Sequence, residues 1–97
     1  MDMKYLIQVV YDDLDKRKQV GYLCYNWLKE WYYLTHELLS CNLDYLRKEH
    51  ALSEIQENMK FIINDVGRIN NRKIVSVGIV AVEARVVDYH EVRMNLV

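Results

Sequence analysis

The sequence predicts an α+β domain: a two-layer sandwich with two helices on one face of an antiparallel sheet. Three observations lead there. Residues 3–11 alternate, with Met3, Tyr5, Ile7, Val9 and Tyr11 on one face, which is the period of a strand. Ile55, Met59, Ile62, Val66 and Ile69 recur at steps of four and three, which is the stripe of a helix. KIVSVGIVAV, from residue 73, is apolar on both faces and reads as a buried central strand.

The elements follow in order. Lys4, Leu6, Gln8 and Val10 form the half-polar second face of the first strand. The run then breaks into Asp12, Asp13 and Asp15 and next into Lys16, Arg17 and Lys18. Asp13 or Asp15 suits a helix cap, because a carboxylate accepts from the free N–H groups of a first turn. Val20, Leu23, Trp27 and Trp31 then continue at helical spacing, and Leu34 and Leu38 extend the stripe. One helix from about 14 to about 48 is one reading. Tyr32, Tyr33 and Thr35 favour a strand instead. Ser53 and Gln56 match a capping box, so the second helix is expected over about 54–69. GRINNRK, 67–73, reads as a loop in which Asn70-Asn71 tolerates left-handed backbone. Beyond EAR, Val92, Met94 and Leu96 alternate with Glu91, Arg93 and Asn95, a half-exposed strand at an edge. If residues 32–42 are extended, the order becomes βαββαβ-like, the ferredoxin plan. If they are helical, a β-α-α-β-β domain results.

Composition narrows the function. The 97 residues suit a single domain, 1–97, with no linker, repeat or low-complexity stretch. Hydrophobic residues make up 52% and charged residues 28%, a globular mix rather than a disordered one. The formal net charge is −1, whereas nucleic-acid binders are usually basic, so any such role rests on local patches or on a partner. Cys24 and Cys41 form no CxxC pair, and His36, His50 and His90 lack zinc-ligand spacing. Both thiols read as structural, in a reducing compartment. Asp2 and Lys4 interrupt the opening, and no apolar run is long enough to span a bilayer, so a cytoplasmic protein without membrane contact is expected. There is no Gly-rich phosphate loop and no nucleophile–base pair.

Two cationic groups stand out. Lys16, Arg17 and Lys18 form one; Arg68, Arg72 and Lys73 form the other, inside a stretch, 66–82, without an acid. Such groups bind phosphates by Coulomb attraction and counterion release, without reading sequence. A solvated helix end and a polar loop account for them equally well. Trp27 and Trp31 fall on the apolar stripe and read as core. Tyr32 and Tyr33 fall off it and suit a subunit contact, where Tyr is enriched.

The stretch VVYDDLDKRK, with Tyr11-Asp12 at a strand end before an acidic and then basic segment, resembles the opening of the CRISPR-associated Cas-two family, the small subunit of the spacer-integration complex. YLTHELLSCNL, 33–43, suits that family's extended middle segment, and KIVSVGIVAV its later strand. The resemblance implies a ferredoxin-like homodimer in antiviral defence. Such a dimer is a non-catalytic platform for double-stranded DNA, with integrase subunits docked at its ends. It further implies that the last strand, with Val92, Met94 and Leu96, completes a neighbour's sheet. Asp12 would face the dimer axis as a catalytic residue holding Mg for phosphodiester hydrolysis, whereas the plainer reading makes Asp12 only a strand end. The rival to a DNA scaffold is a small protein-interaction module of viral or mobile-element origin, gripping its target through an edge strand and exposed tyrosines. A Mg-dependent nuclease is the third class.

Overall fold

The computed structural model describes residues 3–69, 71–84 and 89–95, apart from the side chains of 69, 84 and 89–95. The chain is α+β. Strands β1 (Met3–Asp12), β2 (Lys18–Asn26) and β3 (Trp31–Thr35) come first. Helix α1 (Lys48–Asn64) follows and runs into a π turn, Asp65–Ile69. Strands β4 (Lys73–Ala84) and β5 (Tyr89–Asn95) close the order. One antiparallel sheet results, in the order β3-β2-β1-β4-β5.

This corrects the two-helix expectation. Residues 18–26 and 31–35 pair as strands, so β-β-β-α-β-β replaces both the βαββαβ plan and its β-α-α-β-β alternative. The carboxylates cap a hairpin, not a helix. Asp13 Oδ1 accepts the N–H groups of Asp15 and Arg17, both at 2.9 Å, while Lys16 takes a left-handed φ of 60°. The next turn repeats the device: Asn26 Oδ1 accepts from Leu28 and Lys29 at 3.0 Å, and Glu30 takes φ 57°. A short polar side chain satisfying turn amides, followed by one left-handed residue, is a tight hairpin solution that needs no glycine. Trp27 and Leu28 sit at that turn, 71% and 95% exposed, so Trp27 is not core.

Helix α1 lies on one face of the sheet. Ala51, Ile55 and Ile62 pack with Val66 of the π turn against Ile7, Val9, Leu23, Tyr32 and Ile79. Burying each such aliphatic side chain contributes about 1.5–3 kcal/mol. The helix starts a turn and a half before Ser53, at Lys48, with no side-chain cap on Arg47. The S-x-x-Q pattern therefore falls inside it, and tertiary burial of Ala51 outweighs the missing cap. The opposite face holds Leu6, Tyr22, Cys24, Cys41, Val80 and Val82, with Leu38 packed against them.

Between the two layers the sheet forks. β1 and β2 pair only over Gln8–Asp12 and Lys18–Tyr22. Past that point the segment 41–45 fills the gap between them. Tyr45 exchanges backbone hydrogen bonds with Tyr5 of β1, at 2.8 and 3.0 Å. Asn42 stands in for a strand residue on the other side: its Oδ1 accepts from the Tyr25 N–H (2.9 Å), and its Nδ2 donates to the Tyr25 carbonyl (2.6 Å). The fork thus leaves these backbone groups of Tyr5 and Tyr25 paired, which burial requires.

β4 runs beside β1 along its whole length with a bulge at Val10/Tyr11; only its second half, from Gly78 to Val82, is the buried central strand expected, while Lys73, Val75 and Ser76 are exposed. β5 pairs with Val80–Ala84 and forms one edge of the sheet. The side chains of Val92 and Met94 are not among those described, and Leu96 lies outside the described residues.

Candidate phosphate-binding cleft

The β1–β2 turn and the loop before β4 meet at one end of the sheet because β1 and β4 stay paired to their ends, through the bulge at Val10/Tyr11. Asp12 lies opposite Lys18 on one side and opposite Lys73 on the other. Lys16, Arg72 and Lys73 line a cleft of about 570 Å³ together with Asp12, Asp13 and Asn71. Two cationic groups more than fifty residues apart in sequence are therefore neighbours in space. Asn71 adopts φ 52°, and the Arg72 N–H donates to the Gly67 carbonyl at 3.2 Å, which turns the chain from the π turn into β4. Asn70 lies outside the described residues; Asn71 carries the left-handed backbone expected of the Asn-Asn pair.

Arg72 is the central group. Its Cζ stands 4.6 Å from the centroid of the Tyr11 ring. An aromatic face attracts a guanidinium and leaves its in-plane N–H donors free for a bidentate acceptor. Nη1 of Arg72 is buried and has no hydrogen-bond partner. Tyr11 is itself fixed, with its hydroxyl hydrogen-bonded to His36 Nε2. At Gly21 of β2 a Cβ would come within 3.2 Å of Leu34. The bond between Tyr11 and His36 has no local signature in the sequence, because 25 residues separate the two.

Asp12 and Asp13 are already engaged. Asp12 pairs with Lys18, Oδ1 to Nζ at 3.4 Å. Asp13 serves the turn amides and also accepts from Gln19 Nε2 at 3.3 Å. The hydrogen bond from the Arg17 N–H, with that of Asp15, holds the Asp13 carboxyl below its ordinary 3.8. A pKa depressed by folding contributes stability above the unfolded value, and that stability is lost as pH falls through the folded one. Asp13→Ala is therefore expected to lower the urea midpoint near neutrality, with the gap to wild type closing at pH values well below 3.8.

Asp12 brings one carboxylate per chain, flanked on both sides by lysines. Among the described residues no group of three or more His, Cys, Asp or Glu side chains is placed to hold a metal ion. Of the other expected residues, Arg17 and Lys18 belong to the same hairpin as Lys16, and Arg68 is exposed on the π turn outside the cleft lining. Tyr32 is 6% exposed and part of the core, which corrects its reading as an interface residue; Tyr33 is half-buried against the second face.

Comparison with known proteins finds no match: no family model, no curated protein and no solved structure aligns with the chain. Among the described residues no helix is long and apolar enough to cross a membrane.

Proposed function

We propose that the chain is a non-catalytic scaffold that holds the phosphate backbone of duplex DNA at the hairpin end of its sheet. The convergence of the two cationic groups supports this reading. The six cations 16–18, 68, 72 and 73, set against Asp12, Asp13 and Asp15, leave this end at +3 (6 − 3). The rest of the chain is then −4, since the whole is −1. A net charge near zero conceals a strongly polar distribution, and it is the local field that attracts a polyanion. Arg72 adds a half-buried guanidinium held over the Tyr11 ring. The sheet rather than a flexible tail sets the spacing of these charges, so the contact is one of position and not of base sequence.

The reading rests on this cleft. It does not rest on the resemblance to the Cas-two family, whose βαββαβ order the chain does not follow. A homodimer working with an integrase subunit is proposed on that resemblance alone.

Fluorescence anisotropy on a labelled DNA duplex across a salt series tests the scaffold. Log affinity is expected to fall by about 0.9 per neutralised phosphate for each log unit of salt. Lys73→Gln is expected to reduce that slope by about one while weakening all sequences alike. Absence of binding at low salt, or a slope untouched by Lys73→Gln, overturns the reading.

A protein-gripping module is the second reading. Among the described residues no strand covers β4 from Lys73 to Ile79 on its outer side. Ile63 and Val75, 51% and 47% exposed, line an apolar groove of about 580 Å³ beside that edge. An uncovered edge of this kind is a template for strand addition.

A further inference from the structure

We propose that Cys24 and Cys41 are a redox pair whose oxidation joins the two sulfurs in a disulfide, fastening the segment 41–45 to β2. The two thiols are free, buried and in the same apolar cluster on the face opposite α1. Their contacts are reciprocal. Cys41 Sγ lies 3.2 Å from the carbonyl oxygen of Leu23, the residue just before Cys24. Cys24 Sγ lies 3.8 Å from the carbonyl oxygen of Ser40, the residue just before Cys41. Asn42 bonds both backbone groups of Tyr25, so the two stretches lie side by side with 24 next to 41 and 25 next to 42. Each sulfur therefore lies against the backbone next to the other cysteine, across the fork.

The arrangement is primed chemically as well. The neighbouring Cys41 thiol brings the pKa of Cys24 down to about 7, while Cys24 and burial push that of Cys41 up. The thiolate is the reactive form. The oxidant in this proposal is a hydroperoxide. The Cys24 thiolate attacks one peroxide oxygen, the O–O bond breaks, and a sulfenic acid forms as hydroxide leaves. The Cys41 sulfur then attacks the Cys24 sulfur; the S–S bond forms, the S–O bond breaks, and the departing hydroxyl leaves as water with the Cys41 proton. The two thiols give up two electrons, and the peroxide receives them. Tyr33 and Leu38, both only partly buried, pack against the cysteines, and the 3₁₀ turn Leu38–Ser40 beside them has no buried residue of its own. Segments with so few buried contacts open locally at low cost, which admits a small oxidant.

The disulfide closes a loop spanning 24 to 41 that contains β3 and its turn, and it constrains the unfolded chain accordingly. Treatment with hydrogen peroxide is expected to remove the mass of two hydrogens from the intact protein, restored by dithiothreitol, with one cross-linked peptide joining 24 and 41. The melting temperature of the oxidised protein is expected to rise by about 10 °C. Cys24→Ser and Cys41→Ser each remove both effects. Wild-type protein that gains oxygen instead of losing hydrogen overturns the proposal. So does one whose thiols both remain open to alkylation after peroxide and denaturation, or one that forms only intermolecular dimers. These readouts use the wild-type chain, so a poorly folding serine variant does not obscure them. Duplex binding at the cleft, at the other end of β2, is a separate measurement.

Discussion

Asp65→Ala is expected to lower the unfolding free energy by about 2–3 kcal/mol, a large share of the total for a domain of this size. Asp65 is 8% exposed, at the junction of α1 and the π turn. Its Oδ2 accepts the N–H of Tyr32 at 2.9 Å. Among the described residues β3 has only β2 for a neighbour in the sheet, so the backbone of its outer side has no described strand to bond. Asp65 supplies the acceptor instead and ties this edge to the helical layer. Alanine leaves a buried donor unsatisfied, and that penalty exceeds the net gain of an ordinary hydrogen bond. Asp65→Asn keeps an oxygen in place but loses the charge-assisted part, so about half the loss is expected. Urea unfolding measures both, as a lower midpoint at an unchanged slope. A loss for alanine below about 0.5 kcal/mol, the range of an ordinary surface change, removes Asp65 from its place as the tether of β3.

The double reversal Arg72→Glu with Lys73→Glu has the largest expected effect on binding. It takes the hairpin end from +3 to −1 (3 − 4) and places a carboxylate where the guanidinium met the Tyr11 ring. Affinity for duplex DNA at low salt is expected to fall about 100-fold or more, because like charge now faces the phosphates. The control is a second double variant, Lys29→Glu with Lys60→Glu, which changes the net charge by the same amount at exposed positions outside the cleft lining. Binding by that variant is expected to stay within about threefold, since exposed charges beyond a Debye length are screened. Equal weakening by both pairs shows that net charge alone governs binding and that the cleft has no special part. Circular dichroism on both variants separates loss of binding from loss of fold.

The two hairpin strands were hidden from the sequence for a physical reason. Gly21, Tyr22, Leu23 and Cys24 are buried on both faces of β2, so they show no period of two. Val20, Leu23, Trp27 and Trp31 then fall at helical steps by coincidence, although Val20 and Trp27 are exposed. The turns give no warning either. Their left-handed positions are Lys16 and Glu30, where a reader looks for Gly or Asn. The strand character of Tyr32, Tyr33 and Thr35 was a true signal that the longer stripe opposed.

What the sequence determined by itself is local: the alternation of β1, the stripe of α1, the two-sided apolar run of β4 and the existence of two cationic groups. Each is a short-range pattern, set by the 2.0 and 3.6 periods of the backbone or by neighbouring charges. Tertiary structure alone decided that Lys16 and Lys73 share a cleft, that Asp12 sits between two lysines, that Arg72 rests on Tyr11 and that Cys24 meets Cys41. These contacts join residues far apart in the chain, and they exist because β4 returns beside β1 and the segment 41–45 enters the fork. No local propensity encodes that register; burying both faces of one sheet does.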